Sequence, residues 1–291
     1  MPQTFELSHS AQDIDNMLTQ LKGFDVYNDE YFDIDIASGV ICLKPEYRGA
    51  VPVGTDKDLP ASHLVWSSSV SDQQLGSIGS KNTQLPERLI IPSNVDGITV
   101  TGFQAGMFSY NHRIKEVVLP SSIKNIPDGM FCKAIYLEKI ENIEQIETIG
   151  KHGIAFTRVR ELNFPNLKTI DSYCFCTSPC LEKINIGNKI KEIPVQAFAF
   201  CENLLEVTCV PPSDPSGDSL SDPSGGSSEF KIGERAFYGT RRLRELSFIN
   251  NLPEGVTSGT IGNYAFLSSR CDFSQMDKGW SYKDATSAIY A

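Results

Sequence analysis

Six segments of this chain carry the same apolar spacing at nearly the same interval, and that regularity constrains the fold more than any other feature. They are Ile114-Lys-Glu-Val117-Val-Leu119, Leu137-Glu-Lys-Ile140, Val159-Arg-Glu-Leu162-Asn-Phe164, Leu181-Glu-Lys-Ile184-Asn-Ile186, Leu204-Leu-Glu-Val207-Thr-Cys209 and Leu243-Arg-Glu-Leu246-Ser-Phe248. Five of the six add a third apolar residue two positions after the second. Their starts are separated by 23, 22, 22, 23 and 39 residues. An Ile five residues before a Phe follows: Ile126/Phe131, Ile170/Phe175, Ile193/Phe198, Ile232/Phe237 and Ile261/Phe266. Phe103/Phe108 is a variant, and Ile149/Phe156 reads as a copy with two extra residues.

One such unit cannot bury its apolar face alone. Stacked units share a continuous core, with their short strands side by side in a parallel ladder. The expectation is an α/β repeat solenoid, a right-handed stack over residues 86–267. Residues 24–85 are β-rich and irregular (Tyr31-Phe-Asp-Ile-Asp-Ile36, Val40-Ile-Cys-Leu43) and read as a small module or N-terminal cap. Residues 268–291, with Trp280, Tyr282 and Tyr290, read as a cap on the other end.

The pattern Leu-x-x-Ile-x-Leu-Pro-x-x-(Ile/Val)-x-x-Ile-x-x-x-x-Phe, matched by Ile114 to Phe131 and Leu181 to Phe198, resembles the BspA-type leucine-rich repeat. The resemblance spans about residues 86–267. It implies a curved solenoid with an adhesion or recognition role at the surface of a bacterial cell, and a protein or glycan as partner.

Two columns of charge run across the strands. The third position reads Arg88, Glu116, Lys139, Glu161, Lys183, Glu206, and the second reads Glu87, Lys115, Glu138, Arg160, Glu182. Each alternates in sign. Neighbouring strands lie roughly 4.8 Å apart, so every charge meets opposite charges beside it. The candidate surface ladder of Arg88, Glu116, Lys139, Glu161, Lys183 and Glu206 therefore reads as register and solubility control, or as a groove for a charged ligand. The alternation stops at Leu205 and Glu245, beside an insertion.

That insertion, residues 211–228, repeats Ser-Asp-Pro-Ser-Gly and accounts for the 39-residue step. Its composition predicts a flexible loop, either a tolerated surface insertion or a contact or modification loop. Near the N-terminus, Ser10 caps a predicted helix from Ala11 to Lys22, inside a segment 1–23, with Ile14, Met17, Leu18 and Leu21 in one stripe. A helix this short needs a dock, either its own domain or self-association. Glu6-Leu7-Ser8-His9-Ser10-Ala11-Gln12-Asp13-Ile14-Asp15 resembles the segment that opens some prophage tail-associated proteins of gut bacteria. That similarity implies a second reading, a structural or host-recognition part of a phage or prophage particle.

The formal net charge of −10 argues against nucleic acid as a partner. Met1-Pro2-Gln3-Thr4-Phe5-Glu6 has neither the basic start nor the apolar run of a secretory leader, and no stretch has the length of a membrane span. The expectation is a chain that stays in the producing cell or leaves by another route, such as lysis.

No catalytic constellation emerges. His9, His63, His112 and His152 fit no triad or zinc-helix spacing, and Gly150-Lys151-His152-Gly153 lacks the ends of a phosphate loop. Cys174-x-Cys176-x-x-x-Cys180, with Cys132 and Cys201 in neighbouring copies, has unusual spacing for zinc. These cysteines read as free thiols, as one Cys180–Cys201 disulfide, or as a metal site. The expectation is a chain without cofactor, metal or enzymatic activity.

Overall fold

A computed structural model describes residues 29–49, 79–209, 229–250, 258–271 and 278–283. The expected helix 11–22, the phage-like segment 6–15 and the insertion 211–228 lie outside the described residues.

Each coil begins with a strand of two or three residues whose middle or second residue is apolar and points into the core. Leu89, Val117 and Ile140 form one row, and Leu162, Ile184, Val207 and Leu246 another, none above 6% exposed. The strands pair in parallel, Arg88–Ile90 with Glu116–Val118 and then Lys139–Glu141, and Glu161–Asn163 with Lys183–Asn185, Glu206–Thr208 and Glu245–Leu246. This is the first ladder.

It is not continuous. No strand hydrogen bonding joins Lys139–Glu141 to Glu161–Asn163, so the ladder consists of a three-stranded and a four-stranded sheet. The cause lies in the copy that lacks the third apolar residue. Asn142 occupies that position with a left-handed backbone (φ 57). Its amide donates to the Leu119 carbonyl at 3.0 Å, and the buried residue is Ile143, one step later. The extra residue turns the strand end away from its neighbour, as a bulge does.

A second ladder carries the Ile landmarks. Val40–Leu43 pairs with Gly102–Phe103 in parallel and with Phe32–Ile34 in antiparallel. Asn125–Ile126, Thr148–Ile149 and Thr169–Ile170 form the next sheet. Glu192–Ile193, Glu229–Ile232, Ser258–Ile261 and Trp280–Tyr282 form the last. Trp280, in the last rung, is buried against Phe230 and Phe248, and one helical turn, Ser247–Asn250, supplies Phe248.

Behind the Ile row runs a row of rings. Phe108 stacks on Phe131 at 5.6 Å. Phe175, Phe198, Phe237 and Phe266 stack in sequence at 5.0, 5.2 and 5.2 Å. All are fully buried, each worth about 1.5–3 kcal/mol by transfer. The expected Ile149/Phe156 pair is corrected here. The N–H of Ile154 donates to the Cys174 carbonyl as that of Phe131 donates to Gly153, so Ile154 fills the ring's place at the ordinary spacing of five. No residues are inserted there. Phe156 lies two positions on, outside the row.

Candidate functional site

Between each ladder-two strand and the next ladder-one strand the chain makes two turns, and these also stack. Two positions per coil are left-handed, three residues after the Ile landmark and two after the ring. The first column runs Gly106, Gly129, His152, Tyr173, Gln196, Arg235, Tyr264, and the second Tyr110, Lys133, Phe156, Thr177, Phe200, Gly239, Ser268, with φ between 51 and 73. Only three of these fourteen are glycine. A non-glycine residue in this region costs about 1–2 kcal/mol. The conformation persists because it turns each N–H toward the next coil. Gly129, Tyr173, Gln196 and Arg235 donate to the carbonyls of Lys151, Val195, Glu234 and Asn263, and Lys133, Phe156 and Phe200 to those of Ala155, Cys176 and Tyr238.

The side chains on this turn face form a cluster separate from the main core. Ala155, Cys176 and Ala199 are buried beneath Phe156, Tyr173 and Tyr238. Lys133 lies between two rings, 4.8 Å from the centre of Tyr110 and 5.5 Å from that of Phe156. Lys151 lies 5.7 Å over Tyr173, and Arg235 5.4 Å over Tyr264. Phe200 meets Tyr238 edge-on at 5.1 Å and is 46% exposed. Nothing in the apolar spacing of the sequence marks this strip. The signal was Phe200, two residues after the buried Phe198, outside the Ile/Phe spacing.

The predicted charge ladder is in register within each sheet but is broken between Lys139 and Glu161, and only part of it is paired. Arg88 stands opposite Glu116, and Glu116 opposite Lys139. Arg88 reaches Glu116 at 3.2 Å and Glu141 at 3.5 Å. Lys139 turns along its own strand to Glu141 at 2.7 Å. Burial works against ionisation of Glu141, yet Lys139 and Arg88 hold its carboxyl below the ordinary range. In the other sheet Lys183 faces Glu161 and Glu206 in register, with no ion pair within 4.0 Å among the described residues. In the second column Glu87 accepts Lys115 at 2.8 Å and Arg113 at 3.1 Å, and Arg160 reaches Glu182 at 3.3 Å. A third alternation escaped the sequence reading: Glu147 sits between Lys124 and Lys168 and bonds both.

On the outer side of the second ladder, Asn125, Thr148, Thr169 and Asp171 line a shallow groove of about 300 Å³. Asp128, whose carboxylate accepts the Lys151 N–H at 2.9 Å, is pushed upward in pKa by burial. Among the described residues no group of three or more His, Cys, Asp or Glu is arranged to hold a metal, and no helix is long and apolar enough to cross a membrane. None of the eight cysteines is joined in a disulfide. Cys201, the expected partner of Cys180, instead donates to the Phe175 carbonyl at 3.1 Å.

Short parallel strands, an Ile and ring row behind them and coils of near-constant length define a leucine-rich-repeat solenoid. The chain belongs to the BspA type leucine rich repeat family, whose model matches in six copies over residues 101–213 and 218–284. A leucine-rich repeat protein from Bacteroides ovatus shares the fold at a TM-score of 0.53 and 15% identity, over 83% of this chain and 56% of that one. A leucine-rich repeat protein from Eubacterium ventriosum aligns with TM-score 0.45 and 18% identity, over 69% of this chain and 63% of that one. For a leucine rich cell surface protein from Faecalibacterium prausnitzii the values are 0.36 and 14%, over 89% and 94%. No curated protein sequence matches the chain.

Proposed function

We propose that this chain is a non-enzymatic binding or adhesion module that presents a solenoid surface to a protein or glycan partner outside the producing cell. The observation that carries this reading is Phe200. The ring rows of the coils are buried, yet this phenylalanine is held 46% exposed beside Tyr238 on a left-handed backbone. Exposed apolar area on a rigid scaffold is a cost that recognition offsets. The charged strand face serves chiefly to fix register, because most of its charges answer one another.

A binding screen of the purified chain against glycans and host proteins tests the reading, with a variant lacking residues 211–228 beside it. Specific capture of a glycan or protein supports it. Failure to bind any of them, with the chain folded, would overturn it.

A further inference from the structure

Charge is distributed unevenly around the coils. The stretches 105–113, 128–136, 151–158, 172–180, 195–203, 234–242 and 263–270, which make up the turn face, hold eight Lys or Arg side chains and three carboxylates. That is a net of +5, against −3 on all the other described residues. Two of the eight cations are neutralised locally, Arg113 by Glu87 and Arg235 by Glu234. Lys133 and Lys151 have no carboxylate within 4.0 Å among the described residues, and both lie over aromatic rings. The cationic face is therefore also the aromatic face, and Lys133 and Lys151 stand on it without a direct ion pair among the described residues.

Resting on the binding-module reading above, we infer that the turn face is a binding strip for a linear, carboxylated polysaccharide. Phe156, Tyr173, Phe200 and Tyr238 supply partly exposed rings on coils whose step, read from the buried ring row beneath them, is 5.0–5.2 Å, about the length of one pyranose ring in an extended chain. Phe156 and Phe200 stand two coils apart in the same column, with Thr177 between them. The C–H face of a sugar packs on an aromatic ring because the ring's face is electron-rich and its area is apolar. The ammonium groups of Lys133 and Lys151, already desolvated on one side by the rings they cover, take the carboxylates. A nucleic acid fits less well. A duplex brings about one charge per 1.7 Å of axis, a far denser row than Lys133 and Lys151, one to a coil, can answer.

The test is affinity electrophoresis of the full chain in gels containing hyaluronate or polymannuronate, with dextran as the neutral polymer and single-stranded RNA as the other polyanion. The acidic polysaccharides are expected to retard the chain and dextran much less. Lys133→Gln with Lys151→Gln is expected to weaken binding at least tenfold, and Phe200→Ser severalfold, with unchanged circular dichroism. Lys183→Gln on the strand face leaves binding unaltered. Retardation by RNA but by neither polysaccharide would overturn the inference, as would equal losses in the Lys183 and Lys133/Lys151 variants. Capture of a protein with no polysaccharide bound sinks the strip while leaving the module reading intact. A chain that binds nothing sinks both.

Discussion

The imidazole of His152 lies flat on the phenol ring of Tyr173, their centres 4.9 Å apart and their planes 5° from parallel. Both belong to the left-handed column after the Ile landmark, on adjacent coils. His152 is 1% exposed, and neither ring nitrogen has a hydrogen-bond partner among the described residues. Burial, with help from Lys151, lowers its pKa to about 4.

This geometry predicts acid sensitivity centred on one residue. Protonation is easier in the unfolded chain, where histidine titrates near 6.5. The unfolded state therefore binds more protons in the window between that value and about 4. Stability held above pH 6.5 is lost as pH falls through the window. Between pH 7.5 and 4.5 the loss comes to about 2–3 kcal/mol. Urea unfolding of the wild type and of His152→Phe at both pH values measures it. The variant keeps the stack and is expected to lose that much less on acidification; equal losses in both proteins would refute the assignment.

Two phenylalanines two residues apart should respond very differently to truncation. Phe198 is fully buried, stacked on Phe175 and Phe237, and Phe198→Ala is expected to cost about 3–5 kcal/mol. Phe200 sits on the turn face, and Phe200→Ala is expected to cost under about 1 kcal/mol. Denaturant midpoints at constant slope separate them. Similar losses would mean that Phe200 belongs to the core and that the turn face is no display surface.

The fault in the first ladder is held by Asn142, so its replacements should sort by backbone rather than by size. Asn142→Gly loses the bond to the Leu119 carbonyl but relaxes the left-handed conformation. Asn142→Ala loses the bond and keeps the strain. The alanine variant is expected to be about 1 kcal/mol less stable than the glycine variant, read from paired thermal or urea transitions. The opposite order would place the strand end in ordinary extended backbone.

How far the sequence disclosed this molecule follows from which physical signals are local. The buried rows were legible because a stack repeats its apolar spacing, and Val117, Ile184 and Val207 sit where that spacing puts them. The fault was half visible. Asn142 stood out as a missing apolar residue, but sequence spacing could not tell a vacancy from a bulge that hands the site to Ile143. Ile154 is hidden for the same reason, since Phe156 supplies the ring that the repeat pattern calls for. The turn face was invisible because the usual mark of left-handed backbone is glycine, and His152, Tyr173, Gln196, Arg235 and Tyr264 adopt it without one. Their conformation is imposed by hydrogen bonds to the next coil, which no single coil's sequence records.

The strand-face charges predict an asymmetry between the two sheets. Arg88→Glu removes contacts to Glu116 and Glu141 and sets three carboxylates together. Its cost is expected to be about 1–2 kcal/mol at low salt, shrinking in 1 M NaCl as screening lengths fall to about 3 Å. Lys183→Glu sits in register between Glu161 and Glu206 without an ion pair and is expected to cost less. Stability curves at both salt concentrations check the order. A larger loss at Lys183 would show that register, not contact, carries the electrostatic stabilisation.

The thiols divide by burial, and chemistry should count them in two classes. Cys132, Cys174, Cys176 and Cys201 are buried, while Cys42, Cys180, Cys209 and Cys271 are partly accessible. Burial pushes Cys132 and Cys176 up to about 12 and raises Cys174 and Cys201 further from the reactive range. The thiolate is the nucleophile, so these four lack both access and the reactive form. A disulfide reagent at pH 8 is expected to titrate Cys42, Cys180 and Cys271 in the native chain, with Cys209, which burial also pushes up to about 12, joining the other four only after unfolding. All eight reacting together would mean that the stack opens between coils. A total of six in the unfolded chain would reveal a disulfide, and loss of Cys180 and Cys201 from the count would identify it.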